Sequence, residues 1–90
     1  ILDSLGWVYY KKGRYEEAIT VLKEAAAKQP DDPAIYEHLG DAYSAVGDHE
    51  TALSYYRQGL DLISEEESPD DDETELRARL MEKINRITQT

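Results

Sequence analysis

The sequence predicts an all-α fold built from antiparallel helical hairpins, and three observations support this prediction. The chain resembles itself when it is shifted by 34 residues, so it contains two copies of one unit. Within each copy, apolar residues recur every three or four positions, as they do along one face of a helix. Glycine and proline divide the helical stretches where short turns are needed.

The two copies share seven residues, and four of these are small, aromatic or turn-forming, where backbone geometry is most demanding. The identical residues of the first copy are Ile1, Leu5, Gly6, Tyr9, Gly13, Glu16 and Ala18. They recur as Ile35, Leu39, Gly40, Tyr43, Gly47, Glu50 and Ala52. A period of 34 is typical of a repeating helix–turn–helix unit.

Five helices follow from the periodicity and the turn residues. Gly13 and Gly47 suit the left-handed position that ends a helix. Asp48 is a plausible N-cap, and Pro33 suits a first helical turn after the break that begins at Pro30. We expect helices near residues 2–13, 15–28, 33–46, 49–62 and 72–88.

Two glycines lie inside predicted helices, where each costs about 1 kcal/mol relative to alanine. Because Gly6 and Gly40 carry that cost at equivalent positions, we expect a neighbouring helix to approach closely at both. Ala18 and Ala52 are the predicted small partners on the facing helices.

Residues 64–73 are predicted to form an acidic linker, because they contain no apolar residue. Beyond this linker, apolar residues recur along one face of a predicted helix, and cations flank this stripe. The apolar stripe consists of Leu76, Leu80, Ile84 and Ile87. We interpret this helix as a cap on the open end of the second copy. The charges suit the helix dipole, because the acidic run precedes the N-terminus of this helix and the cations lie near its C-terminus.

The repeated residues resemble the tetratricopeptide repeat family, whose pattern is W-x2-L-G-x2-Y, then A-x3-F, then P. The first copy has Leu5-Gly6-x2-Tyr9, Ala18-x3-Leu22 and Pro30, and the second has Leu39-Gly40-x2-Tyr43 and Ala52-x3-Tyr56. Leu2 and Tyr36 stand in the Trp position. The resemblance implies a segment of a right-handed α-solenoid, the α–α superhelix of this family.

The whole chain, residues 1–90, is predicted to be a single tetratricopeptide domain. The first repeat would span about 1–32, with its first helix truncated, and the second about 33–63. The acidic linker and the capping helix would follow. We expect the chain to be a fragment of a longer protein, with any targeting signal outside it.

Composition excludes several functional classes. A net charge of −10 disfavours nucleic acid and anionic membrane surfaces, and no stretch is long and apolar enough for membrane insertion. The chain has no cysteine, and the acidic run lacks the spacing of a calcium loop. We expect an ordinary packing or surface role for His49 and a solvated position on a helix face for His38. We predict no catalytic residue, cofactor or metal. The chain is expected to be soluble; its compartment is open, with the cytoplasm favoured.

The resemblance implies a protein-binding scaffold or adaptor, because the first helix of each repeat lines a concave groove in this family. The matching positions are Asp3, Trp7, Tyr10, Lys11, Glu37, Asp41, Ser44 and Ala45. In one binding mode of this family, Asn, Lys and Arg side chains at these positions hold the terminal carboxylate of a peptide. This chain has Asp3, Glu37 and Asp41 there instead. We therefore predict a basic or basic–apolar protein or peptide ligand. Trp7 could instead pack against an upstream repeat, or serve both purposes.

The alternative function is structural: a spacer or a self-association segment within a longer array. The exposed edge of the first repeat would then support weak homo-association.

Overall fold

The computed structural model describes the backbone of residues 2–63 and 71–89, and the side chains of residues 4–63 and 74–89. Helix is the only regular secondary structure in this described part. The helices are α1 (Leu2–Lys11), α2 (Tyr15–Lys28), α3 (Pro33–Ala45), α4 (His49–Asp61) and α5 (Asp71–Thr88). The molecule measures 35 × 33 × 19 Å, and its smallest dimension equals about two helix diameters. The all-α prediction is confirmed, and the predicted helix ends are shifted by two residues at most. Most of the predicted linker lies outside the described residues.

The first helix of each hairpin ends in the same way. Gly13 and Gly47 adopt φ values of 81° and 88°. After α1, the Arg14 amide donates to the Tyr9 carbonyl at 2.9 Å, and the Gly13 amide donates to the Tyr10 carbonyl at 3.0 Å. The same pair of bonds follows α3. These are the two bonds of the Schellman motif, so both glycines hold the positions that the sequence predicted.

The helix starts also follow from the sequence. Asp32 accepts a hydrogen bond from the Ala34 amide at 3.1 Å, with Pro33 as the first residue of α3. Asp48 accepts from the Thr51 amide at 3.2 Å and caps α4, as predicted. These bonds satisfy amides that the helix itself cannot pair.

Close helix packing occurs at both central glycines. A Cβ placed on Gly6 would lie 2.5 Å from Cγ of Leu22, and one placed on Gly40 would overlap the ring of Tyr56. The nearest atoms therefore belong to these large side chains and not to Ala18 and Ala52, contrary to our expectation. Each glycine makes room for the bulky residue four positions after the alanine.

The core consists of two layers that repeat the same arrangement. In the first, α2 packs against α3 through the buried residues Ala18, Leu22, Ala25, Ile35, Leu39 and Ala42. In the second, α4 and the residues directly after it pack against α5 through Ala52, Tyr56, Ile63, Leu76 and Leu80. Helix α5 thus meets α4 as α3 meets α2. This places α1, α3 and α5 side by side on one surface of the molecule.

Candidate binding groove

Two adjoining hollows lie along α1, α3 and α5, and we call them together the concave groove. The first, of about 370 Å³, is lined by Tyr10, Asp41, Ser44, Ala45, Tyr56, Lys83, Arg86 and Ile87. The second, of about 440 Å³, is lined by Ser4, Trp7, Glu37, His38, Asp41, Arg79 and Lys83. Asp41 and Lys83 line both hollows and stand at their junction.

Six of the eight sequence-predicted partner-binding residues line these hollows: Trp7, Tyr10, Glu37, Asp41, Ser44 and Ala45. The seventh, Lys11, lies beside them, with its Nζ 5.1 Å from the centroid of the Trp7 ring. The side chain of Asp3 lies outside the described residues.

Three stacked rings form one wall of the groove. The Trp7 ring lies 4.8 Å from Tyr10 and 4.5 Å from His38, with interplanar angles of 8° and 24°. All three side chains are half-buried. Trp7 therefore packs within its own chain, between residues of α1 and α3. The imidazole of His38 is half-buried and stacks on the indole.

The opposite wall is an ion-pair network between α3 and α5. Glu37 is only 4% exposed, and Arg79 donates to it twice, from Nε at 3.0 Å and from Nη2 at 3.3 Å. Lys83 Nζ donates to Glu37 Oε2 at 3.0 Å and to Asp41 Oδ2 at 3.1 Å. Two carboxylates of α3 are thereby joined to two cations of α5.

A buried tyrosine completes the network from below. The Tyr56 hydroxyl donates to Asp41 Oδ1 at 2.6 Å. Burial, followed by this bond to the neighbouring carboxylate, raises the pKa of Tyr56, so the phenol stays protonated at neutral pH. Asp41 is therefore held by α4 and α5 together.

Opposing effects act on the ionisation of Glu37. Burial alone would raise its pKa, but the hydrogen bonds and charges of Arg79 and Lys83 outweigh burial and hold the pKa below its ordinary value. The pKa of Arg79 is raised in turn by its hydrogen bond to Glu37. Glu37 is therefore an ionised carboxylate buried beneath two cations.

Sequence reasoning missed the contribution of α5 to the groove. Arg79, Lys83 and Arg86 were recognised only as cations flanking an apolar stripe, or late in a helix. Nothing in a single sequence aligns α5 with α3, since 42 residues separate Glu37 from Arg79. The excess of basic residues late in α5 was the available signal.

Two family models match the chain. One, described as a TPR repeat, matches residues 6–47, and a second, described as a tetratricopeptide repeat, matches residues 35–70. The chain belongs to the tetratricopeptide repeat family. Such repeats generally act as protein-interaction modules and are not enzymatic by themselves.

Curated relatives share the repeat region. Protein O-mannosyl-transferase TMTC2 of Mus musculus is 37% identical over 62 residues, which cover 66% of this chain and 7% of the relative. The Homo sapiens protein of that name has the same identity and coverage. Protein O-mannosyl-transferase TMTC1 of Homo sapiens is 43% identical over 47 residues, which cover 52% of this chain and 5% of the relative. The matched segment is thus a small part of each relative.

Two further findings bear on the repeat region. Among the described residues, none of the helices has the length and apolar character needed to cross a membrane. Within that same part of the chain, no group of three or more His, Cys, Asp or Glu side chains is placed to hold a metal ion.

Proposed function

We propose that this tetratricopeptide segment is a scaffold or adaptor module that binds a partner polypeptide in the concave groove. The observation that carries the proposal is the half-exposed stack of Trp7, Tyr10 and His38 beside two open hollows. Aromatic side chains are enriched where protein partners bind, because they offer a large contact area at a low entropy cost. An extended segment of a partner would lie across these rings and along α3.

The charges in the groove bear on the polarity of this partner. The prediction of a basic or basic–apolar ligand assumed that Glu37 and Asp41 are free, but both are paired with α5. Their side chains are only 5% and 12% exposed, whereas those of Arg79 and Arg86 are 51% and 73% exposed. A ligand entering the groove would therefore contact the side chains of Arg79 and Arg86 before those of Glu37 and Asp41. We propose a partner segment that places apolar side chains on the rings and carboxylates near α5.

Fluorescence titration of Trp7, the single tryptophan, tests this proposal directly. One peptide would alternate Leu with Glu, and a second would alternate Leu with Lys. We expect a saturable change with the Leu–Glu peptide and a much weaker one with the Leu–Lys peptide. Saturable binding of the Leu–Lys peptide alone would support the original polarity and contradict the revised one. Binding of neither would favour the alternative function, a spacer or self-association segment.

A matched pair of variants locates the binding site. Ala45 is exposed and lines the first hollow, so Ala45→Glu adds bulk and a repelling charge there. Ser54 is also exposed but lines neither hollow, so Ser54→Glu adds the same charge elsewhere. We expect Ala45→Glu to weaken binding of the Leu–Glu peptide at least about tenfold, which corresponds to about 1.4 kcal/mol. Equal effects of the two substitutions would show that overall charge, and not the groove, governs binding.

The names of the relatives suggest a context for this module. They are called protein O-mannosyl-transferases, and the present chain matches only their repeat region. We propose that in such a protein this segment contributes polypeptide recognition and not sugar transfer. Purified residues 1–90 should then transfer no mannose to any acceptor peptide. Transfer by this segment alone would overturn the assignment.

A further inference from the structure

Helix α5 occupies the acidic face of α3, which consists of Glu37 and Asp41. Arg79 and Lys83 of α5 pair with Glu37, and Lys83 also pairs with Asp41. These contacts leave the two acidic side chains only 5% and 12% exposed. The sequence predicts a basic–apolar ligand for this face, and a segment of that chemistry already lies there within the same chain.

The contact residues of α5 follow one helical pattern. Four of them stand at positions i, i+3, i+4 and i+7, on a single face of the helix: Leu76, Arg79, Leu80 and Lys83. The two leucines are buried in the core beside Tyr56 of α4. The two cations donate hydrogen bonds to α3. Docking of α5 therefore combines an apolar contact with α4 and an ionic contact with α3.

The ionic contact restricts which helix could take the place of α5. While a helix covers them, Glu37 and Asp41 need cationic partners, because a covered and unpaired carboxylate is strongly destabilising. Once α5 leaves, water can solvate both carboxylates. A replacing helix must therefore bring its own cations at the positions of Arg79 and Lys83.

We propose that the contact between α5 and α3 is autoinhibitory, because α5 covers a docking surface for a basic amphipathic helix of a partner protein. The partner helix carries the pattern Leu-x2-Arg-Leu-x2-Lys and displaces α5. This inference goes beyond the function proposed above, in which α5 stays docked and supplies cations to the concave groove. Displacement removes those cations from the groove, so the two modes of binding exclude each other.

The distance between two spin labels measures displacement in the full chain. The chain has no cysteine, so Ser54→Cys on α4 and Asn85→Cys on α5 place single labels at two exposed positions. The competitor is a peptide of residues 71–90. Because it is identical to α5, displacement should be half complete when the peptide reaches the effective concentration of α5, on the order of 1 mM. We expect the label distance to lengthen and broaden. An unchanged distance above that concentration would overturn the proposal.

Charge reversal ties displacement to the ionic contact. A control peptide with Arg79→Glu and Lys83→Glu should leave the label distance unchanged. The same two changes in the chain should weaken docking of its own α5, so the native peptide should bind that variant at least about tenfold more tightly than the native chain. Lys28→Glu with Arg57→Glu is the control of equal charge, because both side chains are exposed and neither contacts α3. Equal affinities for all three chains would contradict the proposal.

The same labels separate this proposal from binding in the groove. The Leu–Glu peptide requires docked α5, so its binding should leave the label distance unchanged, and its failure to bind would not alter displacement by the peptide of residues 71–90. Sedimentation of the native chain supplies the remaining outcome. A dimer that Arg79→Glu with Lys83→Glu dissociates would identify α5 of a second copy as the occupant and contradict a separate partner.

Discussion

Lys83 Nζ on α5 donates a hydrogen bond to Glu37 Oε2 on α3 at 3.0 Å, although 46 residues separate the two in the sequence. This bond joins the C-terminal helix to the surface that the repeats build. It also makes α5 part of the groove wall and not only a cover for the hydrophobic core. The stability of the fold and the polarity of the groove therefore depend on the same few side chains.

The first prediction concerns the buried carboxylate. Glu37→Gln keeps the shape of the side chain but removes the charge that Arg79 and Lys83 surround. We expect a loss of about 1–3 kcal/mol in the free energy of unfolding, the usual cost of leaving charged hydrogen-bonding partners unsatisfied. Urea denaturation followed by circular dichroism measures it. Glu82→Gln is the control, because that side chain is 63% exposed and its pair with Arg86 should contribute less than about 1 kcal/mol. Equal losses would show that the buried network contributes no more to stability than the exposed pair does.

The second prediction concerns pH. The folded state lowers the pKa of Glu37 below its ordinary value near 4.5, so the folded state binds this proton less readily than the unfolded chain does. The resulting stabilisation is fully present above the unfolded pKa and disappears as the pH falls through the folded pKa. The stability difference between the native chain and Glu37→Gln should therefore be constant near pH 7 and shrink on acidification below about pH 4.5. A difference that stays constant down to pH 3 would contradict this account.

The third prediction concerns Gly40. Its replacement by Ala should improve helix propensity by about 1 kcal/mol, but the new methyl group would overlap the buried Tyr56 ring. We expect net destabilisation of about 1–3 kcal/mol, as found for overpacked cores. Thermal melting measures it. In a Tyr56→Ala background the same change should cost much less, because the overlap is gone. Equal costs in both backgrounds would exclude the steric explanation.

The fourth prediction concerns the hydroxyl of Tyr56. Tyr56→Phe removes the 2.6 Å hydrogen bond to Asp41 and should cost about 1.5–3 kcal/mol, since the acceptor is charged and nearly buried. Tyr36→Phe removes a 3.1 Å bond to the carbonyl of Pro30 at an exposed position and should cost less than about 1 kcal/mol. Chemical denaturation of both variants gives the comparison. A Tyr56→Phe variant as stable as Tyr36→Phe would mean that water replaces the lost bond.

Much of the fold follows from local sequence chemistry. The glycines at positive φ, the aspartate caps and the proline in the first turn act within a few residues, so the sequence predicts them directly. The repeat offset also predicts which helix faces pack together. The residues that contact Gly6 and Gly40 were harder to predict from the sequence, because these contacts depend on how one helix is rotated against another.

The sequence predicted α5 as a cap on the second copy, but it did not predict which residues of α5 would face α3. Leu76 and Leu80 occupy the places that Ile35 and Leu39 occupy one layer earlier, but at an offset of 41 residues instead of 34. The shift of seven residues hides the equivalence from any comparison at the repeat period. The groove residues of α1 and α3 were therefore predicted, whereas the cations that pair with them were not.

The most direct test of the central claim is chemical-shift mapping of the folded chain during titration with the Leu–Glu peptide. Binding in the concave groove predicts saturable shifts that cluster on the indole N–H of Trp7 and on the amides of Tyr10, Ser44 and Ala45. Residues on the outer side of α2, such as Thr20 and Glu24, should not shift. Saturable shifts confined to α2, or none at saturating peptide, would contradict a partner-binding groove on this face.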